Sequence, residues 1–337
     1  MLVTNQGSVR VDLVGGTLDI EPINLIIKNV VTLNVATGLK AKVSISETSF
    51  DGIEIVSTDY NKTYKFDAKD LTEDNVVYSR RFEEMTFVLQ ILGLFKITSG
   101  HKLELSSGAP AGSGLGGSSA MGVTLYKALC NLTGDNYDRN IAVQRVKAVE
   151  SRILNQGVAG YQDYFPALTG GVLAVKGIEG EIKVEQLYSD ELKGVLEKHL
   201  VLIYSGQSRA SGINNWEVYK GFFDKRPEVV SGLTSIAEVS YETYLALKAK
   251  DWGKMLEGIA REGKLREKLF PGITTDKINT FTKDISSLGK VLGVKMCGAG
   301  GGGCFILVHE GLDRATIAAK VQEHDMQILP FEVESPL

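Results

Sequence analysis

The segment from Pro110 to Ala120 concentrates glycine and serine where a core would use neither: Gly112, Ser113, Gly114, Gly116, Gly117, Ser118 and Ser119 surround the single large apolar residue Leu115. Upstream, Lys102 to Leu105 alternates polar and apolar side chains as a strand does. Downstream, Met121, Val123, Leu125, Leu129 and Leu132 give an apolar helical face. The segment therefore reads as strand, glycine turn and helix start. Glycine lets the backbone turn tightly and approach a ligand closely. The unpaired N–H groups and dipole of a helix start favour an anion there. Ser118 and Ser119 add hydroxyls able to cap the helix or to touch a phosphate-bound Mg²⁺. The chemistry expected of Pro110, Gly112, Ser113, Gly114, Leu115, Gly116, Gly117, Ser118 and Ser119 is a phosphate cradle.

Two familiar cradles fit less well. Gly112 to Gly117 satisfies G-x-G-x-x-G, and Asp135 lies at about the spacing of a ribose-binding acid. Pro110, however, interposes a turn between strand and glycines, and no repeating βαβ units precede the loop. A Walker A loop closes with Gly-Lys-Ser/Thr, whereas here Gly117 is followed by Ser118.

With its leading proline and trailing serines, the loop resembles the second motif of the GHMP kinases, the relatives of galactokinase, homoserine kinase, mevalonate kinase and phosphomevalonate kinase. Val9 to Asp19, containing Arg10, Gly15 and Gly16, is similar to their first motif, a strand ending in a substrate-facing glycine turn. Lys295 to Cys304, with its run Gly300-Gly301-Gly302-Gly303, is similar to the third. The three occur in the family's order and span nearly the whole chain. Gly160-Tyr161-Gln162-Asp163-Tyr164, followed by Gly170-Gly171, resembles the catalytic loop of galactokinase and heptose-phosphate kinase relatives. Ser205 to Ser211 resembles a C-domain segment of the heptose-phosphate kinase and fucokinase branch, which phosphorylates sugars or sugar phosphates. The chain also departs from the pattern. Ser8-Val9 stands where many members have Pro-Gly, Leu18 replaces a threonine, Tyr164 replaces a glutamine, and the Glu-His pair of galactokinases is absent.

The resemblance implies ATP as phosphoryl donor and Mg²⁺ as its counter-ion. Phosphoryl transfer asks a protein to position two oxygens in line and to neutralise spreading charge. Asp163 is the implied proton acceptor, with Arg10 beside it keeping the carboxylate ionised. Taken alone, the same residues read as a surface-loop acid and a strand-end salt bridge. Ser118 and Glu150 are the implied Mg²⁺ ligands, although Glu150 also fits a solvated helix charge. Gly16, Asp19, Gln162, Arg209, Gly300 and Gly301 are expected to face the substrate. For Arg209 two roles stand equal, bidentate contact with a substrate phosphate or anchoring of a loop through backbone carbonyls.

The remaining composition excludes other classes. Among 337 residues, 43% are hydrophobic and 23% charged, and the net charge of −4 comes without a basic tract. An electrostatic nucleic-acid role is therefore unsupported. The Lys264-Leu265-Arg266-Glu267-Lys268 cluster mixes both signs and reads as a solvated helix face. Cys130, Cys297 and Cys304 lack C-x-x-C spacing, which suggests a reducing, cytoplasmic setting without structural zinc. Small apolar packing is the expected role of Cys297 and Cys304. His101, His199, His309 and His324 are scattered without an H-E-x-x-H pattern. No signal peptide and no membrane-spanning run is expected.

Strand patterns dominate residues 1–60, and helical ones fall at Phe82–Phe95, Ala120–Leu132 and Ile141–Leu154. The charged stretch Glu181–Lys198 is expected to mark a boundary. Beyond it come a strand at Leu200–Tyr204, helices to Lys268 and from Thr275 to Leu288, and strands around the last glycine loop and at Met326–Val333. The family implies an α+β fold, with a ribosomal-protein-S5-like N-terminal α/β domain over residues 1–180 and a ferredoxin-like domain over 181–337. Its active site lies in the cleft between them. The expected function is ATP-dependent phosphorylation of a hydroxyl on a small sugar or sugar phosphate, by a monomer or homodimer with neither nucleic-acid nor membrane partners. The alternatives are a catalytically inactive sugar and nucleotide sensor, a member acting on a non-sugar acceptor such as mevalonate, and a dinucleotide-dependent oxidoreductase.

Overall fold

A computed structural model describes residues 2–78, 81–154, 159–178, 180–207 and 213–337. Arg209 lies outside the described residues. Strands β1 (Leu2–Val14), β2 (Val31–Glu47), β3 (Gly52–Ser57), β4 (Lys62–Asp67), β5 (His101–Ser106), β6 (Val172–Ile178) and β7 (Glu181–Gln186) form one seven-stranded sheet. Strand β2 organises it, pairing with β1 along one edge and with β5 and then β6 along the other. Strands β8 (Leu200–Tyr204), β9 (Lys290–Met296), β10 (Cys304–Glu310) and β11 (Gln327–Ile328) form a second sheet in the order β11-β8-β10-β9. Numbered within their own unit these strands run 4-1-3-2, and helices connect the first to the second and the third to the fourth. That is the βαββαβ arrangement expected.

Strand β1 positions chemistry because its period of two separates two faces. Val9, Val11 and Leu13 enter the core, while Arg10 and Asp12 fall on the opposite side. A register shift between Ser8 and Arg10 marks a bulge beside them; such bulges re-aim side chains. The helix Gly117–Thr133 packs across β1 and β2 and is buried on most of its circumference. Its Gly122 admits the Phe87 ring and Val146, which a Cβ would meet at 2.6 and 2.8 Å. One apolar cluster fills the space between the first sheet and the near face of the second, reaching Leu200, Leu202 and Ile306. A second cluster, with Ile203, Phe305 and Leu307, covers the far face.

Two boundaries differ from the sequence reading. The expected break at 180/181 falls in a hairpin, because Glu181–Gln186 pairs with β6 as β7 and packs Ile182 and Val184 against the first core. The charged stretch after it forms a helix, Asp190–His199, capped by Ser189 Oγ, which accepts from Leu192 N at 3.1 Å. At the C-terminus only Gln327–Ile328 extends the second sheet. Pro330 has no N–H to give a ladder, and the chain then crosses to the first sheet, where Val333 bridges Thr37 and Glu334 N donates to Ala36 O at 2.9 Å. Among the described residues no helix is long and apolar enough to cross a membrane.

Candidate active site

A cavity of about 480 Å³ opens between the glycine loop, β1 and elements of the C-terminal half. The helix Gly117–Thr133 starts at its edge from Gly116, which holds φ 71° and ψ 25°, and no side chain caps its first turn. Left-handed backbone of this kind favours glycine. A Cβ at Gly116 would lie 3.2 Å from Asp163 Cγ, and one at Gly114, at φ +80°, would lie 2.3 Å from Cys297 O. The loop therefore runs flush against both the Asp163 segment and the third motif. Pro110, Gly112, Gly114, Leu115, Gly116, Gly117, Ser118 and Ser119 all line the cavity. Ser113 instead faces inward: its carbonyl accepts from Cys304 N at 2.7 Å and its N–H donates to Pro110 O at 3.0 Å. Asp135 sits past the far end of the helix, accepting from Thr133 Oγ1, roughly 25 Å away at the α-helical rise. With a sheet that is mostly antiparallel, this removes the dinucleotide-fold reading.

Arg10 ties the loop to Asp163. Its Nε and Nη2 lie 2.8 and 2.7 Å from Asp163 Oδ1, and its Nη1 donates to Gly114 O at 2.5 Å. Among the described residues nothing bonds Asp163 Oδ2, and Asp163 lines the cavity. Glu150, one wall further, gathers three hydroxyls. Ser118 Oγ donates to Oε1 at 3.0 Å, while Ser119 Oγ and Tyr164 OH donate to Oε2 at 2.7 and 2.5 Å. Burial pushes the Glu150 carboxyl up, more than the Tyr164 and Ser119 hydroxyls pull it down. It is not a solvated helix charge. Ser118 and Glu150 together offer hard oxygen ligands, the donor set Mg²⁺ takes when phosphates and water supply the rest. Among the described residues no cluster of three or more His, Cys, Asp or Glu could hold a metal by itself.

On the other side of Asp163 stand Asp19 and Gln162. Asp19 Oδ2 accepts from Tyr161 N at 2.6 Å and Gln162 N at 2.8 Å. Asp19 Oδ1 and Gln162 Oε1 are buried without a donor among the described residues. Burial pushes the Asp19 carboxyl up to about 6, against the pull of the backbone N–H groups. Gly16 and Thr17 complete this wall. Thr17 is held at φ 73°, an outlying conformation for a β-branched residue of the kind found at functional sites. Gly300 and Gly301, expected to face the substrate, do not line the cavity. Gly301 N donates to Ile273 O at 2.7 Å and Gly300 packs on Ile273, so Gly298 and Ala299 are the part of the third loop that faces in.

Sequence reasoning missed a buried charge network beneath this wall. Lys295 and Asp12 are 0% and 1% exposed and pair at 2.7 Å, with Glu262 Oε2 3.4 Å from the same Nζ. Burial opposes ionisation of Asp12, yet Lys295, Arg10 and Arg266 together hold its carboxyl well below the usual range. Asp12 Oδ1 also accepts from Gly298 N at 3.2 Å, which anchors the third loop. Arg266, assigned from sequence to a solvated face, is buried. Its Nε donates to Glu262 Oε1 at 2.7 Å and its Nη2 to Gly16 O, and its side chain reaches the cavity. The Glu262–Arg266 spacing of four residues was the available signal, as was the charged pair Arg10 and Asp12 on one face of an apolar strand. Cys297 and Cys304 face each other across the third loop, Cys297 N donating to Cys304 O at 2.8 Å. Both are free and buried, and burial pushes the Cys304 thiol up to about 12.

A phosphate-sized glycine cradle and an arginine-held carboxylate sharing one cavity suit the transfer of a phosphoryl group between two small molecules. The family comparisons agree with that class. Residues 82–171 match the GHMP kinases N terminal domain, and residues 244–325 match the GHMP kinases C terminal domain. The chain belongs to the GHMP kinases, phosphotransferases that act on hydroxyl groups. Over 333 residues, 94% of this chain, it is 26% identical to the bifunctional fucokinase/GDP-fucose pyrophosphorylase of Arabidopsis thaliana, of whose length it spans 31%. It is also 26% identical, over 66% of this chain and 69% of the relative, to a mevalonate kinase of Methanothermobacter thermautotrophicus. The fold matches that of a D-glycero-D-manno-heptose 1-phosphate kinase from Bacteroides thetaiotaomicron, with a TM-score of 0.71 at 20% identity, covering 100% of this chain and 97% of the other.

Proposed function

We propose that this chain transfers the γ-phosphoryl group of ATP to a hydroxyl of a small sugar or sugar phosphate. The observation that carries the reading is the contact of Asp163 with Gly116 at the helix start, with Oδ1 held by Arg10 and Oδ2 left to the cavity. In this reading the phosphates of the donor lie on the N–H groups at the start of the helix Gly117–Thr133. Asp163 Oδ2 accepts the proton of the acceptor hydroxyl and orients its oxygen for in-line attack. Arg10 holds that carboxylate through Oδ1 and, through Gly114 O, fixes its distance from the cradle. Ser118 and Glu150 would hold Mg²⁺, which supplies positive charge to the phosphates.

The sugar acceptor is supported by the likeness to the fucokinase relative over 94% of this chain. ADP release with Mg·ATP against a panel of sugars, sugar phosphates and mevalonate, run with Asp163→Asn in parallel, tests the proposal. Turnover on a sugar that collapses in the variant supports it. Binding of ATP and sugar without turnover favours a sensor instead, and turnover on mevalonate alone overturns the sugar assignment.

A further inference from the structure

After Leu329 the chain leaves the second sheet, and residues 332–337 run along the first, where they bond both elements that carry Arg10 and Asp163. On the strand side, Gly38 N donates to Glu332 O and Glu334 N donates to Ala36 O, each at 2.9 Å. Ala36 is the residue paired with Arg10 across β1 and β2. Lys40 Nζ ties the same points together, 2.9 Å from Glu334 Oε2 and donating at 2.9 Å to Ser8 Oγ on the bulge before Arg10. On the loop side, Gly171 N donates to Glu334 O at 3.1 Å and Leu337 N to Thr169 O at 2.9 Å. Thr169 ends the short helix Phe165–Thr169, which begins two residues after Asp163. Gly170 leaves room for this approach, because a Cβ there would lie 2.2 Å from Ser335 O.

These bonds close a circuit. It runs from Arg10 to Ala36 across the strand pair, through Glu334 to Gly171 and Thr169, back along the short helix to Asp163, and so to Arg10. Ala36 N, which donates to Gly171 O at 2.9 Å, braces the circuit across its middle. The segment is anchored at Val333, which is buried, with its N–H on Glu197 Oε1 at 2.8 Å and its carbonyl accepting from Lys193 Nζ at 3.0 Å. The side chains of Ser335, Pro336 and Leu337 are exposed, so what these residues give the first sheet is backbone. Such a contact depends on the presence of the chain and hardly on its side chains. Displacing a reacting group by about 1 Å can cost about 10²-fold in rate, so a segment that fixes the two elements bearing one ion pair bears on the chemistry.

We propose that residues 334–337 are a backbone clasp that positions Asp163 against Arg10 by joining the end of the Asp163 helix to the strand paired with β1. This rests on the role given to Asp163 above and adds a positioning segment to it. Amide hydrogen exchange of residues 164–171 and ADP-release kinetics are compared in the full chain, a variant lacking residues 334–337, Leu337→Pro and Leu337→Ala. The proline removes only the N–H given to Thr169 O and the alanine keeps it, so this pair carries the test even where the deletion does not fold. The deletion is expected to speed exchange at residues 164–171 by roughly tenfold or more. It is expected to lower kcat by roughly tenfold or more while the ATP KM stays within about twofold. Leu337→Pro moves both in the same direction by a smaller factor, and Leu337→Ala matches the full chain. Combined with Asp163→Asn, the deletion is expected to add less than about twofold to the loss in kcat, since both changes act through one carboxylate. Unchanged exchange in both the deletion and Leu337→Pro overturns the proposal, as does unchanged kcat in an active enzyme. A loss in kcat that is equally large with and without Asp163→Asn also overturns it, by placing the effect elsewhere. Faster exchange with no turnover even in the full chain upholds the clasp and sinks the kinase reading, and turnover with unchanged exchange does the reverse.

Discussion

Arg10 and Asp163, 153 residues apart in sequence, meet through a single carboxylate oxygen, with Nε and Nη2 both within 2.8 Å of Oδ1. The grip holds Oδ1 and leaves Oδ2 without a hydrogen bond among the described residues, on a side chain that lines the cavity. Asp163→Asn is expected to lower kcat by about 10²–10⁴-fold with ATP binding intact. Arg10→Lys should also be impaired, because an ammonium cannot hold Asp163 and Gly114 O with a planar fork. Single-turnover ADP formation together with nucleotide binding measures both. Unchanged kcat in Asp163→Asn would remove this residue from the chemistry.

Gly116 couples cradle to carboxylate. A methyl group there would press on Asp163 Cγ at 3.2 Å and force L-chirality onto φ +71°. Gly116→Ala should cost about 1–2 kcal/mol of stability from the left-handed backbone and reduce kcat far more than that loss implies. Thermal melting and initial rates on one preparation separate the two effects.

Lys295 and Asp12 are fully buried. Removing the cation by Lys295→Met leaves Asp12 with only Arg10 at 3.7 Å and Glu262 with Arg266 as close counter-charges, at an expected cost of up to about 3–5 kcal/mol. The Asp12→Asn/Lys295→Met double variant removes one of those acids and should recover part of the loss. Urea unfolding of both variants reads this, and equal midpoints would show that the pair is not coupled.

Asp19 has its carboxyl pushed from an ordinary 3.8 up to about 6 by burial. The folded protein therefore holds this proton more tightly than the unfolded chain, and the cost of ionising it grows as pH rises from about 4 to about 6, remaining in full above that. Asp19→Asn removes the cost. The variant should be more stable than the parent by on the order of 2–3 kcal/mol at about pH 8, with the difference vanishing below about pH 4. Acceptor KM should show the opposite benefit, falling in the parent as pH rises through about 6 and staying flat in the variant. Melting curves and KM across that range check both signs.

Much of this site is written in short stretches of chain. The glycines and serines of Gly112–Ser119 specify a turn and a helix start through backbone freedom and unpaired N–H groups, which depend on neighbours in sequence. The alternation of Val9–Leu13 and the apolar run Phe305–Val308 likewise identify strands with a buried face. The short hairpin strand Glu181–Gln186 reads instead as a charged boundary, because its solvent-facing acids hide the inward Ile182 and Val184.

What sequence could not decide is which charges end up inside. Lys264 to Lys268 carries the mixed signs of a solvated helix, and only the docking of that helix against β9 buries Arg266 and Glu262 beside Lys295 and Asp12. Nor could the glycine run of the third motif say that Gly298 and Ala299, rather than Gly300 and Gly301, face the cavity, since that depends on Gly301 bonding Ile273. Turns, helix starts and strand faces follow from torsions and periodicity along a few residues, so the sequence by itself determined them. The partners of buried charges follow from contacts between elements up to 283 positions apart, where the cost of desolvation is met only by an opposite charge brought from elsewhere in the chain, and that only the tertiary structure decided.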